Sequence, residues 1–214
     1  MSNAFTTNDL TQVEQQTLAH YENNAAGFWV GTKNHDVSQN RAALLASFPT
    51  TQTLDILDFG CGPGRDLHYF HSLGHRAIGL DGCEKFCRMA HEYTGCIVLH
   101  QSFLNLKLSP DSFDGIFANA SLFHVPSSEL PRVLKELHNA LRNDGVLFMS
   151  NPRGNSEGWS GGRYGCWMEL DILKPLLERA GFNVIDHYYR PAGLPQNQQP
   201  WLAIVSKKSA ACPK

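Results

Sequence analysis

Apolar positions along the chain switch repeatedly between two periods. From 9 to 29, "DLTQVEQQTLAHYENNAAGFW" sets Leu10, Val13, Leu18 and Tyr21 at helical spacing and ends on aromatic residues. A polar link over 31–40 follows, then a short helix over 41–48 that Pro49 stops. "LDILDF" over 54–59 has the unbroken apolar run of a strand buried on both faces. Helices predicted over 67–73 and 84–93 run into Gly74 and Gly95, and strands are predicted over 76–81 and 96–101. The alternation continues with a strand over 112–120 and a helix over 128–142, whose first turn tolerates Pro131. A strand over 145–150 follows the turn "NDG", and a helix over 170–180 runs into Gly181. Strands over 183–189 and 201–206 come last, with a Pro-rich loop and no helix between them.

Strand–helix alternation predicts the α/β class: a doubly wound, mostly parallel sheet of seven strands with helices on both faces. The last two strands should pair as an antiparallel ribbon at one edge. Residues 1–50 read as an N-terminal helical lid, 51–206 as the core and 207–214 as a flexible tail. The first residues, "MSNA", take no part in the reasoning.

Composition narrows the function classes. The 214 residues carry a formal charge of −2, and the longest basic run is "KK" at 207–208, which argues against a nucleic-acid-binding face. No stretch of 18 apolar residues and no leader pattern occurs, so neither a membrane span nor a secretory signal is expected. The six cysteines form no CxxC pair and read as reduced thiols of a cytoplasmic protein. Cys83 and Cys87 could face each other on a helix, but obvious partners for a metal are lacking, and none is expected.

The densest signal is "LDFGCGPGRD", 57–66, with three glycines and a proline in five positions directly after the first strand. In such sheets ligands bind beyond the carboxyl ends of the strands. Gly60, Gly62 and Gly64 let the backbone turn sharply there and approach a ligand. The loop is not a P-loop, because Arg65 and Asp66 stand where Lys and Ser or Thr would be required. Arg65 also occupies the slot that a dinucleotide fingerprint keeps small, which counts against a nicotinamide oxidoreductase.

The pattern Asp-x-Gly-x-Gly-x-Gly, Asp58 to Gly64, resembles the first motif of class I S-adenosylmethionine-dependent methyltransferases. The acid Asp81 closing the second strand, the "NASLFHVP" segment and the "NDGVLF" turn extend the match over 54–150. The resemblance implies a Rossmann-like fold, S-adenosylmethionine as cofactor and methyl transfer to a small-molecule acceptor. It implies that Gly60 and Gly62 carry the methionine part, with Asp58 near its ammonium and Cys61, Gly64 and Arg65 in the same loop. Asp81 would accept from both ribose hydroxyls, a task for which a carboxylate suits two vicinal donors. Gly82 and Cys83 would line the adenine. Ser102 stands where the family often has an Asp for the adenine amino group, and that contact would then pass to the backbone of Phe103. Asn119 and Ala120 would touch the methionine part. Tyr21 and Trp29, with Phe28, would form the apolar underside of a lid, or else serve as core aromatics.

His124, next to the expected methyl, reads either as a general base or as pocket lining. His35 and Asp36 in the polar link, and Arg153, Arg163 and Tyr164 in a long glycine-rich loop over 151–165, are the candidate acceptor-binding residues. Arg190 joins them as a partner for an anionic acceptor. A non-catalytic binding protein on the same fold is the alternative reading, and the chain is expected to act as a monomer or homodimer.

Overall fold

The computed structural model describes residues 6–209. Helix α1 (Thr7–Thr32) leads to α2 (Ser38–Leu45) and strand β1 (Asp55–Phe59). Then α3 (Arg65–Ser72), β2 (Arg76–Asp81), α4 (Glu84–Thr94) and β3 (Val98–His100) alternate. Strand β4 (Phe113–Asn119), a short 3₁₀ turn at Leu122–His124, α5 (Leu130–Ala140) and β5 (Leu141–Pro152) follow. A hairpin of β6 (Ser156–Ser160) and β7 (Arg163–Trp167) precedes α6 (Leu170–Ala180), β8 (Phe182–Arg190) and β9 (Trp201–Lys208).

The main sheet has seven strands in the order β3-β2-β1-β4-β5-β9-β8. The first five are parallel. The expected ribbon stands at the other edge: β9 lies between β5 and β8 and runs antiparallel to both. The seven-stranded, mostly parallel Rossmann-like sheet is the predicted fold class. Among the described residues no helix is long and apolar enough to cross a membrane.

Why helices cover both faces follows from the strand period of two. Leu57 and Phe59 of β1, Ile116 and Ala118 of β4 and Leu147 and Met149 of β5 face one core with α5 and α6. Their neighbours Ile56, Phe117 and Phe148 face the other core with Leu44 of α2 and Leu67 and Phe70 of α3. Helix α5 presents Leu130, Val133, Leu134 and Leu137, the i, i+3, i+4, i+7 stripe that packing on a sheet requires. A third, smaller cluster joins Ala25 of α1 to Cys83 and Phe86 at the start of α4, with Leu18, Tyr21 and Phe28 against it. This cluster seats α1 across the carboxyl ends of the strands.

Three expectations need correction. The polar link is shorter than 31–40, because α1 continues to Thr32 and α2 starts at Ser38 instead of residue 41. The backbone amide of Ser38 donates to the Asp36 carboxylate at 2.9 Å, which turns the chain into α2. Asn40 is fully buried because its amide donates to Asn119 at 2.9 Å and its oxygen accepts from the Tyr188 hydroxyl at 3.0 Å. The long loop over 151–165 is instead the end of β5 plus the β6–β7 hairpin. Its two-residue turn, Gly161–Gly162, has φ values of +56° and +78°, the mirror-image turn whose twist matches paired strands. Finally, Lys207 and Lys208, expected in the tail, are the last residues of β9. The rest of that predicted tail from residue 210, and "MSNA", lie outside the described residues.

Candidate active site

The carboxyl ends of β1, β2 and β4 open into a cleft of about 700 Å³, partly open to solvent. The sheet side of the cleft consists of Gly60, Gly62, Asp81, Gly82, Phe103, Leu104, Ala120, Ser121 and His124. Helices supply the roof: Glu14, Thr17, Leu18, Tyr21 and Phe28 from α1, and Phe86 from α4. Positions 14, 17, 18, 21 and 28 share one helical face, so α1 turns a single stripe onto the cleft.

The glycine loop is pinned from below and open above. The amides of Gly60 and Cys61 donate to the Leu80 carbonyl at 2.7 and 3.0 Å, which locks the turn onto β2. Gly60, at φ +76°, cannot carry a side chain: a Cβ would lie 2.3 Å from that of Ser121. Gly62, at φ +52°, faces the cleft, where a Cβ would meet only Phe28 at 3.7 Å. Ala120 adopts φ +60°, an uncommon conformation for a residue with a side chain, directly at the cleft wall.

Asp81 is 8% exposed and its two oxygens accept from the amides of Gly62 and Cys83, each at 2.9 Å. Burial pushes its carboxyl up to about 6, against the pull of those amides and that of Gly82. Each carboxylate oxygen keeps a further lone pair for a ligand. Together with Glu14, Asp81 gives this part of the cleft an acidic lining.

His124 is bound on both nitrogens. Nδ1 lies 2.6 Å from the Tyr164 carbonyl, which can only accept, so Nδ1 carries the proton. Nε2 lies 2.8 Å from the Tyr21 hydroxyl and therefore accepts from it. Burial lowers the imidazole to about 4, offset in part by the Tyr164 carbonyl and reinforced by the charge of Arg163. Burial likewise raises the Tyr21 phenol, so the proton between the two stays on the tyrosine.

Of the sequence-predicted residues, Gly60, Gly62, Asp81, Gly82, Phe103, Ala120, Tyr21 and His124 come together in the cleft lining. The others stand outside it for identifiable reasons. Gly64 is a packing glycine, where a Cβ would lie 3.0 Å from the backbone of Ala90. Arg65 pairs with Asp66 at 2.6 Å and donates to the Thr32 carbonyl at 3.0 Å. Cys61 and Cys83 are buried, and Trp29 packs on Tyr93. Asp58 lies beneath the loop at 2% exposure with Oδ2 lacking a hydrogen-bond partner, and burial raises its carboxyl well above the usual range. Asn119 donates to Asp66 at 3.4 Å and accepts from Asn40, holding the end of β4.

Ser102 donates to the Glu14 carboxylate and accepts from the Leu104 amide at 3.0 Å. His35 and Asp36 are exposed. Arg153 is paired with Glu169 at 3.0 Å. Tyr164 contributes its backbone, its amide donating to Thr17 at 3.0 Å, and its side chain is buried. Arg163 reaches the rim, donating to the Tyr21 hydroxyl at 3.3 Å.

Sequence reasoning missed Glu14, Thr17, Leu18, Leu104, Phe86 and Ser121 as lining residues. The first two were legible as members of the α1 stripe through Leu18 and Tyr21. The GG turn, flanked by residues of strand character, was the missed sign of the hairpin.

Residues 56–145 match the family model described as a methyltransferase domain. The matched segment runs from β1 to the turn inside β5. It holds the glycine loop, Asp81 and His124; the roof helix α1 and the hairpin lie outside the match. A malonyl-(acyl-carrier protein) O-methyltransferase of Pectobacterium atrosepticum is 30% identical over 105 residues, 49% of this chain and 41% of that protein. A trans-aconitate 2-methyltransferase of Azoarcus sp. is 31% identical over 123 residues, 56% of this chain and 48% of that protein. The chain thus spans less than half the length of these two relatives. The 1,6-didemethyltoxoflavin-N1-methyltransferase of Burkholderia thailandensis, solved with 1,6-didemethyltoxoflavin and S-adenosylhomocysteine, superposes with a TM-score of 0.78. It is 21% identical and the match covers 98% of this chain and 94% of that one, so the two chains share a fold that includes the roof helix.

Proposed function

We propose that this protein is an S-adenosylmethionine-dependent methyltransferase acting on a small-molecule acceptor. The observation that carries the reading is the Gly62–Asp81 junction: a bare glycine turn hydrogen-bonded to a carboxylate where β1 and β2 end at the cleft. A missing Cβ leaves room for a ligand against the backbone, and the carboxylates of Asp81 and Glu14 suit a ligand with positive charge and vicinal hydroxyls. S-adenosylmethionine supplies a methyl group on a sulfonium that is already activated. The chain's residues bind, orient and exclude water.

In this reading Asp81 takes the ribose hydroxyls and Gly60 and Gly62 the methionine part, with Ala120 and Ser121 beside it. Glu14, through its bond to Ser102, brings from α1 the acid that the region after β3 lacks. Residues up to 50 act as the cap, and the core begins at 51. Tyr21 and Phe28 cover the cleft, which favours a small acceptor over a polymer. His124 lines and orders the acceptor side, because both its nitrogens are already engaged. The five cysteines among the described residues are free thiols, in keeping with a reducing cytoplasm.

The test is calorimetric titration with S-adenosylmethionine and S-adenosylhomocysteine, followed by an S-adenosylhomocysteine release assay across a metabolite panel. Binding plus release with at least one acceptor supports the reading. Absence of binding removes it, and binding without release across the panel favours the non-catalytic alternative.

A further inference from the structure

We infer that the methyl acceptor carries a carboxylate group and that Arg163 is the residue that binds it. The inference rests on the methyltransferase reading and names the acceptor class of that same site.

Three arginines were candidates for an anion, and the fold separates them. Arg153 is spent on structure: Nε pairs with Glu169 at 3.0 Å, and Nη1 donates to the carbonyls of Gln196 and Gln199 at 2.7 and 2.9 Å. Its guanidinium also lies 4.4 Å above the Tyr189 ring. Arg190 donates to the Asp36 carbonyl at 2.8 Å, away from the cleft lining. Arg163, like Arg190, has no carboxylate among the described residues within ion-pair distance. Arg163 differs from Arg190 in reaching the cleft roof. Its Nη1 donates to the oxygen of Tyr21, a residue of the cleft roof, and its Nε is buried without a hydrogen-bond partner.

A buried N–H without a partner costs free energy, and a guanidinium offers a two-pronged geometry that matches a carboxylate. The position is also rigid. Arg163 directly follows the Gly161–Gly162 turn, and the next residue, Tyr164, is tied by its amide to Thr17 of α1 and by its carbonyl to His124. The cation is therefore held at the cleft rim rather than swinging on a loose loop.

The surrounding charges point the same way. Arg163 faces Tyr21 and His124, both neutral, while the cleft carboxylates Asp81 and Glu14 make no ion pair with it. A cation with no anion beside it completes its pairing when an anionic acceptor arrives. Such an acceptor also fits a site whose one lining imidazole is committed on both nitrogens.

The test uses pairs of small carboxylic acids and their primary amides on the same carbon skeletons. Binding is followed by saturation-transfer NMR and calorimetry with S-adenosylhomocysteine present, in the wild type, Arg163→Gln and Arg163→Lys. The expected result is an acid-over-amide preference of at least tenfold in the wild type. Arg163→Gln should lower acid affinity about ten- to hundredfold, and Arg163→Lys should keep part of it. Amides binding as well as acids, no panel acid binding, or the preference surviving in Arg163→Gln would each overturn the inference. S-adenosylhomocysteine affinity, measured in the same samples, separates the two levels. If it binds and the acid preference is absent, only the acceptor class falls; if it does not bind, the methyltransferase reading falls. Circular dichroism of each variant confirms that a lost preference reflects the site and not the fold.

Discussion

The Tyr21 hydroxyl donates to Nε2 of His124 across 2.8 Å, joining the roof helix α1 to the 3₁₀ turn after β4. The direction of that bond is set by the other ring nitrogen, whose proton goes to the Tyr164 carbonyl. Three segments far apart in sequence are thus joined through one imidazole, and its free lone pair is consumed in the process.

Turnover should therefore ignore the ordinary histidine range. With the imidazole lowered to about 4, His124 is neutral throughout pH 6–8 and its lone pair is occupied. At saturating substrates, kcat should be flat across that window. Charging the ring as pH falls toward 4 should break the Tyr21 bond. His124→Gln, which can still accept from Tyr21, should lower kcat less than tenfold and act mainly on acceptor KM. A rise in kcat through about 6.5 that vanishes in His124→Gln would instead make His124 the base.

Cofactor affinity should depend on pH through Asp81. Burial raises its carboxyl to about 6 in the free protein, and a ligand donating hydroxyls favours the ionised form. Affinity should be level above about pH 6 and fall as pH drops below it, with proton release on binding near pH 6. Calorimetry in two buffers of different ionisation enthalpy measures that release. Asp81→Ala should cost about 1.5–3 kcal/mol of binding. It should also lower Tm, because the amides of Gly62 and Cys83 lose their acceptor.

Gly60 and Gly62 should respond differently to the same substitution. A Cβ on Gly60 would collide with Ser121 at 2.3 Å, so Gly60→Ala should lower thermal stability by about 1–3 kcal/mol. Gly62→Ala meets no such obstacle and pays only for its positive φ, about 1 kcal/mol. Its main effect should be weaker cofactor binding, and Gly62→Val should abolish it. Thermal melts and titrations of the three variants compare the two positions directly; equal binding by Gly62→Val and wild type would remove the loop from the site.

Glu14 and Ser102 should behave as one unit. Either Glu14→Gln or Ser102→Ala should weaken S-adenosylhomocysteine binding by about 1 kcal/mol. The double variant should lose less than the sum, since the two side chains share a hydrogen bond. Strict additivity in a double-mutant cycle would show that Glu14 acts independently of Ser102.

Much of the architecture was legible in the sequence because it follows local periods. Unbroken apolar runs such as "LDILDF" mark strands buried on both faces, and the Leu130–Leu137 stripe marks a helix that packs on them. The clustered glycines of 60–64 and the acid Asp81 announced the cleft for a related reason: backbone geometry and strand ends are local properties. What required the tertiary structure is the pairing of side chains distant in the chain. Nothing near Ser102 says that Glu14, 88 residues away, becomes its partner, because only the docking of α1 on Phe86 and Cys83 brings them together. Nothing near Arg153, Arg163 or Arg190 says which is tied to a carboxylate and which reaches the cleft roof. That depends on where Glu169 and Tyr21 come to lie, and on a Gly–Gly turn that converts an apparent loop into a hairpin against the cleft. Local sequence carries torsional preference and burial period, whereas hydrogen-bond partnership and charge balance are sums over the folded neighbourhood.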